Sequence, residues 1–390
     1  MRVLFLYPRT LDSASSMGGV AEFLCSLAPA LKSHEVDSVI YAGDKTITQL
    51  KAPVQLITQS VVYNGPFIKP GFFYSRRKLA PVLDLCAQIQ FDVIHAQGTY
   101  TAGFMAMQIS KRTGIPFVVT SHSDILSTNS KRMRRRNVQR RCRQVLKHAA
   151  AVTHLTPMME EISHQLWDTR AKSTVIGNGI DCELWHPYAA LPERNYMLGI
   201  GRLEKGKGFH VLIDMYARLL KMGVTTSLVI AGRGSEENNL YAQARQYGIN
   251  LVTDCENVAQ IPEKSIVFTG YVRDDVKRRL IGQSRFVLFA TQPDLWEEAF
   301  GIVQLEAMAA GKPVIASDTN VTRFLRQSGL RAVIVEAANI KAWAEEAYHL
   351  LHDANTRREY GSENLLAAAR FGWLPIASQY RDVYSAACKL

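Results

Sequence analysis

Tyr196-Met197-Leu198-Gly199-Ile200-Gly201-Arg202-Leu203-Glu204-Lys205-Gly206-Lys207-Gly208 runs directly into Phe209-His210-Val211-Leu212. A short apolar run, a glycine-rich turn carrying cations and then helical periodicity over Phe209–Lys221 form the unit from which parallel sheets are assembled. Small residues in the turn let the backbone approach an anion, and the helix N-terminus supplies unpaired N–H groups. Arg202 and Lys207 are then well placed against a diphosphate. A plain strand–helix turn with solvated charges is the competing reading of the same residues. A dinucleotide fingerprint is not, because Gly199-Ile200-Gly201 has Glu204 where its third glycine belongs.

The same alternation runs outward in both directions. Short β-branched runs are expected as strands at Val3–Tyr7, Val36–Tyr41, Val54–Ile57, Val93–His95, Phe117–Thr120, Val152–Leu155 and Thr174–Ile176. They recur at Tyr196–Ile200, Ser227–Ala231, Ile266–Thr269, Phe286–Ala290, Val314–Ala316 and Ala332–Val335, with helical patterns such as Leu240–Tyr247 and Lys341–His352 between them. Strand, helix, parallel strand, repeated in two halves, predicts an α/β protein of two doubly wound, Rossmann-like sheets. At 390 residues the chain exceeds what one core usually holds. Trp185-His186-Pro187 and Leu191-Pro192 interrupt regular structure, so the domains are expected at 1–188 and 189–372. The segment 373–390 reads as a helix kinked near Pro375 that packs back onto the first domain. No internal repeat or low-complexity tail is present.

Composition is that of an ordinary globular protein, 47% hydrophobic and 21% charged. No apolar run approaches the roughly 18 residues that cross a bilayer. Val3–Tyr7 stops at Pro8 and is too short for a signal-peptide core. Six cysteines are scattered without a C-x-x-C pair, the pattern of reduced thiols in a cytoplasm. Charge, by contrast, is concentrated: nine cations between Lys131 and Lys147, with no acidic residue among them, account for nine of the net +11.

Glu298-Ala299-Phe300-Gly301-Ile302-Val303-Gln304-Leu305-Glu306-Ala307 sets two carboxylates around a turn that opens an apolar helix. A glutamate heading a helix often only complements the dipole. Glu306, however, interrupts an apolar run, where a carboxylate needs a partner or a ligand. Glu297 leaves open which of the adjacent pair faces the site.

Taken in order, Gly18-Gly19-Val20, Asp92-Val93-Ile94-His95, Thr120-Ser121-His122-Ser123-Asp124, Ile176-Gly177-Asn178-Gly179-Ile180-Asp181, Gly201-Arg202-Leu203 with Lys207-Gly208, Ala231-Gly232-Arg233-Gly234, and Glu298-Ala299-Phe300-Gly301 with Glu306-Ala307 resemble a family-4 glycosyltransferase of GT-B architecture over nearly the whole chain. The resemblance implies retaining transfer from a nucleoside diphosphate sugar, with no cofactor and no bound metal. It implies that Glu298 holds sugar hydroxyls, Glu306 the ribose, and Arg202 and Lys207 the diphosphate. Gly18 and Gly19 would approach the diphosphate from the other domain, and His122 would line the reaction centre. His95 reads as a core histidine. No D-x-D pair occurs, although Asp274 and Asp275 are adjacent, so Arg202, Lys207 and helix dipoles are expected to take the electrostatic role of a divalent ion. Family members usually carry a glycine-rich segment and a proline–glutamate pair where this chain has Ser317–Phe324. Gln292–Trp296 is also longer than usual. Both departures leave the donor sugar and the base unassigned.

Val138, Cys142, Val145, Leu146 and Ala149 share one helical face, with Arg132, Arg136, Arg140, Arg143 and Lys147 on another. A solvated face, an anionic membrane or lipid-phosphate acceptor, and nucleic acid compete for this cationic surface. Aromatics next to cations in Val61–Ile68 and Phe72–Lys78 suit an interfacial loop or acceptor pocket and favour the membrane. No nucleic-acid reading module is recognisable. The expected function is thus a cytoplasmic, peripheral enzyme passing a sugar to a hydroxyl acceptor, plausibly lipid-linked or a polysaccharide precursor. A sugar-nucleotide epimerase or hydrolase on the same scaffold, or a nucleic-acid-binding protein, is the alternative.

Overall fold

The structure, a computed structural model, describes residues 1–9, 11, 19–43, 54–55, 61–67, 78–126, 133–253 and 261–389. The chain divides into two compact units: Met1–Gly179 with Phe371–Leu390, and Ile180–Arg370.

The first unit contains β1 (Arg2–Tyr7), α1 (Gly19–Lys32), β2 (Asp37–Gly43), β3 (Val54–Gln55), β4 (Val61–Gly65), α2 (Ala80–Gln88) and β5 (Val93–Gln97). It continues through α3 (Thr101–Thr113), β6 (Phe117–Ser121), α4 (Arg136–His148), β7 (Ala151–His154), α5 (Pro157–Leu166) and β8 (Ser173–Val175). The second holds α6 (Cys182–Ala189), β9 (Tyr196–Ile200), α7 (Phe209–Lys221), β10 (Ser227–Ala231), α8 (Glu237–Gln246), β11 (Asn250–Thr253), β12 (Ser265–Gly270) and α9 (Asp274–Gln283). β13 (Val287–Phe289), α10 (Ile302–Ala309), β14 (Val314–Ser317), α11 (Asn320–Gln327), β15 (Ala332–Val335), α12 (Ile340–His352) and α13 (Ala354–Ala368) complete it. The chain then returns to the first unit as α14 (Trp373–Ala387).

Strand order among the described residues is β3-β4-β2-β1-β5-β6-β7-β8 in one sheet and β11-β12-β10-β9-β13-β14-β15 in the other. All pairs are parallel except β3–β4. Each sheet reverses its winding beside its first strand, between β1 and β5 and between β9 and β13, and such switch points are where open sheets receive ligands. Helices cover both faces, so β1 buries both sets of its alternating side chains. Val3 and Phe5 pack with Phe23, Leu24 and Leu27 of α1 and Ile376, Tyr380 and Tyr384 of α14. Leu4 and Leu6 pack on the opposite face with Val82, Met105, Ile109 and Val145. In the second unit, Met197, Leu228, Ile230 and Phe268 meet α7 and α12 through Leu212, Met215, Trp343 and Ala347.

Three expectations are corrected. The domain boundary falls at Gly179–Ile180, not at 188–189. Asp181 caps α6 by accepting from the Leu184 N–H at 2.9 Å, and α6 then lies on α9, where a Cβ on Gly282 would stand 2.4 Å from the Tyr188 carbonyl. That close approach fastens the helix to the second unit. The segment from Val61 is not an interfacial loop at its start: Val61–Gly65 is β4, paired with β2. Tyr41 donates to the Pro66 carbonyl at 3.0 Å, and Phe67 packs 6.4 Å from the Tyr41 ring. Phe72–Arg77 lie outside the described residues. Finally, α14 is one helix with Pro375 in its first turn, where a missing N–H leaves no intrahelical bond unmade.

Candidate functional site

The site of the second unit is built at its switch point, from the turn after β9 and the loop after β13. Gly208 ends that turn at φ 72° and heads α7. A Cβ there would fall 1.9 Å from the Ala290 carbonyl oxygen, so the turn closes on the β13 loop only with glycine. The Gln292 N–H donates to the Gly206 carbonyl at 2.8 Å, stitching the two segments together. Trp296 rests against Gly206, where a Cβ would lie 2.5 Å from that of the tryptophan.

Trp296 is a shelf for both expected phosphate ligands. The Arg202 guanidinium carbon sits 5.1 Å from its ring centroid and Lys207 Nζ 5.5 Å. Cations over an indole face are attracted by its quadrupole, by about 0.5–2 kcal/mol according to exposure. Lys207 Nζ also pairs with Glu298 Oε1, the two side chains 18% and 9% exposed. Thr291 Oγ1 donates to the same oxygen at 3.2 Å. Glu298, rather than Glu297, is therefore the carboxylate tied to the lysine.

Glu306, 4% exposed on α10, receives Lys277 Nζ of α9 at 2.7 Å. Lys277 lies 3.6 Å from Asp274 as well. The buried carboxylate thus has the partner that its apolar surroundings demand. The atypical Ser317–Phe324 stretch leads from the end of β14 into the first turn of α11. Thr319 caps it by accepting from the Thr322 N–H at 3.1 Å, and Arg323 grips Asp318 through two bonds of 2.6 and 2.7 Å. Gln304 of α10 donates to Thr322 at 3.1 Å, joining this stretch to the helix that carries Glu306.

The structure places His122 and Gly19 in the first unit. His122 follows β6, 7% exposed, with Nε2 2.8 Å from Gln97 Oε1 and its ring 5.4 Å from that of Phe23. Burial pulls its pKa down to about 4, so the imidazole is neutral near pH 7. Asp124 caps α3, accepting from the Thr99 and Tyr100 N–H groups at 2.6 and 3.1 Å. Gly19 begins α1, with open space where a Cβ would stand; Gly18 lies outside the described residues. His95 is a core residue, fully buried between Tyr384 Oη at 2.7 Å and Thr120 Oγ1 at 2.6 Å, and it ties α14 to the sheet.

Sequence reasoning missed three participants. Trp296 stood in a loop noticed only for its length, Lys277 sat among the charges of Asp274–Arg279, and Gln97 ended a strand without any polar pattern around it. On α4, Val138, Cys142, Val145 and Leu146 are buried while Arg136, Arg140, Arg143 and Lys147 are exposed, as are Arg134 and Arg135 just before it. Arg132 lies outside the described residues. Arg141 turns over the Phe104 ring at 5.1 Å and Lys147 over Trp167 at 5.3 Å. No described helix is long and apolar enough to cross a membrane.

Residues 17–184 match the profile of Glycosyltransferase Family 4, and residues 185–365 that of Glycosyl transferases group 1. A phosphatidyl-myo-inositol mannosyltransferase of Mycobacterium leprae is 34% identical over 189 residues, 48% of this chain and 46% of that protein. A D-inositol 3-phosphate glycosyltransferase of Corynebacterium glutamicum is 26% identical over 351 residues, 85% of this chain and 78% of its own. The chain spans about half the length of the first of these relatives. Among solved structures, Anabaena HepE in complex with UDP superposes with a TM-score of 0.76 at 20% identity, covering 99% of this chain and 100% of that one. Sucrose-phosphate synthase of Thermosynechococcus elongatus does so at 0.74 and 18%, covering 99% of each. Two matched profiles in tandem and two parallel-sheet units establish that this chain belongs to family 4 of the glycosyltransferases, group 1, with the GT-B fold.

Proposed function

We propose that this protein transfers a hexosyl group from a nucleoside diphosphate sugar to a hydroxyl acceptor, with retention and without a metal ion. The observation that carries the reading is the cluster at the second switch point: two cations over Trp296, one of them paired with a largely buried carboxylate. Lys207 holds Glu298 in the absence of a stronger anion. A diphosphate entering at the N-terminus of α7 offers Lys207 and Arg202 a larger negative charge, and Glu298 is then freed to accept from sugar hydroxyls. Glu306, oriented by Lys277, takes the ribose. Charge building on the departing diphosphate is met by fixed cations and backbone N–H groups that need no reorganisation. Retention follows from attack on the face from which the diphosphate leaves, its oxygen taking the acceptor proton. On this reading neutral His122, Gly18 and Gly19 contribute to donor handling, as the family resemblance implies.

The relatives' names support inositol-type acceptors, water-soluble or in a phosphatidyl lipid, and a neighbour solved with UDP-glucose supports a uridine donor as the first to test. The exposed arginines of α4 favour an acceptor held at an anionic membrane, with the enzyme cytoplasmic and peripheral. The test is transfer from labelled UDP-glucose or GDP-mannose, in EDTA, to phosphatidylinositol vesicles or to inositol 3-phosphate. Labelled product keeping the donor's anomeric configuration is expected. Donor consumed with no acceptor product, or its sugar epimerised, would replace transfer with hydrolysis or epimerisation. Salt-sensitive RNA binding without any sugar chemistry would move the protein to another class.

A further inference from the structure

Where the end of α10, the start of α13 and the chain following α6 meet, the second unit has an open cavity of about 430 Å³ whose lining includes none of the donor residues named above. Its charged lining is Glu193, Lys312, Arg357 and Arg358. Arg357, 6% exposed, is fully engaged. Its Nη1 donates to the Leu350 and Leu351 carbonyls at 2.6 and 3.1 Å, closing the end of α12, and Nη2 and Nε reach Glu193 at 3.1 and 3.3 Å. Glu193 is the one carboxylate in the lining, against the three cations Lys312, Arg357 and Arg358. Arg358 stands exposed, with one contact to Asn355.

Lys312 is different. It is 4% exposed, yet among the described residues its ammonium makes no hydrogen bond and no ion pair. Holding an ammonium on a side chain so little exposed costs desolvation, which a nearby anion offsets. Burial pulls the Lys312 pKa below the usual lysine value, with the Glu193 carboxylate opposing that shift and the Arg357 guanidinium adding to it. The lining therefore carries two cations beyond its one internal pair, in a volume that falls within the roughly 300–1,000 Å³ of small-molecule pockets. One alternative is that Lys312 only complements the carbonyl end of α10. That role gives no reason for an open cavity whose lining also holds Arg358.

We propose that this cavity is a second anion site, taking a small phosphate monoester or free phosphate between Lys312 and Arg358. The site does not depend on the donor reading. The test is calorimetric titration of the full-length chain with inorganic phosphate, with glucose 6-phosphate and with glucose, each in saturating UDP to fill the donor site. Phosphate-dependent binding that survives UDP and weakens at least tenfold in Lys312→Met is expected. Methionine keeps the buried stem while removing the charge. Equal affinity for the two phosphates assigns the site to free phosphate, and tighter glucose 6-phosphate binding assigns it to a phosphorylated metabolite. Failure of both to bind, full affinity in Lys312→Met, or displacement by UDP overturns the proposal. Should Lys312→Met fail to fold, Arg358→Glu, on the surface, must show the same tenfold loss or the proposal falls.

Discussion

The Lys207–Glu298 pair offers the sharpest discrimination between a structural strut and a working site, through Lys207→Met, Glu298→Gln and the double variant. Exposed ion pairs contribute about 0–1 kcal/mol, whereas stripping one partner from a fully buried pair costs about 3–5. This pair lies between those limits, with side chains 18% and 9% exposed. Glu298 retains the Thr291 hydrogen bond when Lys207 is gone, and Lys207 retains the Trp296 ring when Glu298 is neutralised. The loss of stability in either single variant is therefore about 1–2 kcal/mol, with a coupling near 1 kcal/mol in the cycle. Catalysis should respond on another scale. A cation meeting charge that develops on the leaving diphosphate contributes about 3–4 kcal/mol in the transition state, so kcat/KM for Lys207→Met should fall roughly 10²- to 10³-fold. Denaturant melts of the four proteins, followed by steady-state transfer assays on the folded fraction, read both quantities. A variant that loses stability while kcat/KM stays within threefold of wild type would show that Lys207 merely braces the β13 loop.

Four further outcomes follow from particular contacts. Trp296→Leu removes the shelf under Arg202 and Lys207, and at about 0.5–2 kcal/mol per cation it should raise the donor KM roughly tenfold with the melting temperature little changed; an unaltered KM would leave the tryptophan without a positioning role. Gly208→Ala, which drives a Cβ to 1.9 Å from a backbone oxygen at φ 72°, should destabilise well beyond the about 1–2 kcal/mol left-handed penalty expected of Gly223→Ala, whose Cβ meets open space; equal melting curves would contradict the clash. His95, His122 and His154 titrate near 3, 4 and 3 because burial disfavours their charged forms, so the unfolded chain binds more protons. Their stabilisation is complete above about pH 6.5 and is lost as pH falls toward 4, by at most about 1.4 kcal/mol per unit for each histidine, and melts that strengthen between pH 7 and 5 would refute this. Arg140→Gln with Arg143→Gln should weaken sedimentation on phosphatidylserine vesicles roughly 30-fold, at about 1 kcal/mol per cation, unless wild type does not bind them at all.

What could be read from sequence was whatever is local. Phe209–Lys221 was located to the residue because its apolar period, a preceding glycine and closing cations all act within one element. The amphipathic face of α4 was legible for the same reason. Val61–Gly65 was not: its β-branched start was outweighed by Asn64-Gly65-Pro66, and its place beside β2 depends on a partner about twenty residues away. The short strand β11, with neither end well buried, gave no pattern to find. The domain boundary was set too late because Trp185-His186-Pro187 reads as broken chain, whereas Pro187 sits inside α6 and Trp185 is buried by it.

The site obeys the same division. Arg202, Lys207, Glu298 and Glu306 announce themselves because charge inside an apolar or glycine-rich pattern is locally anomalous. Trp296, Lys277 and Gln97 do not, since each acquires its role from a residue 25 to 94 positions away. These silent residues hold the visible ones before any ligand arrives. Trp296 keeps two like charges close together, and Lys277 lets Glu306 remain buried. The Lys207–Glu298 contact has a further consequence. A cation that is meant to grip a diphosphate needs an interim anion to stay both folded and aimed, and that anion must be weaker than the one it awaits. A single carboxylate shared with Thr291 meets this condition, because a diphosphate brings more charge to the same ammonium. Under the proposed function, exchange at Lys207 would free Glu298 at the moment a sugar is present to receive it, coupling phosphate binding to sugar recognition through a single bond.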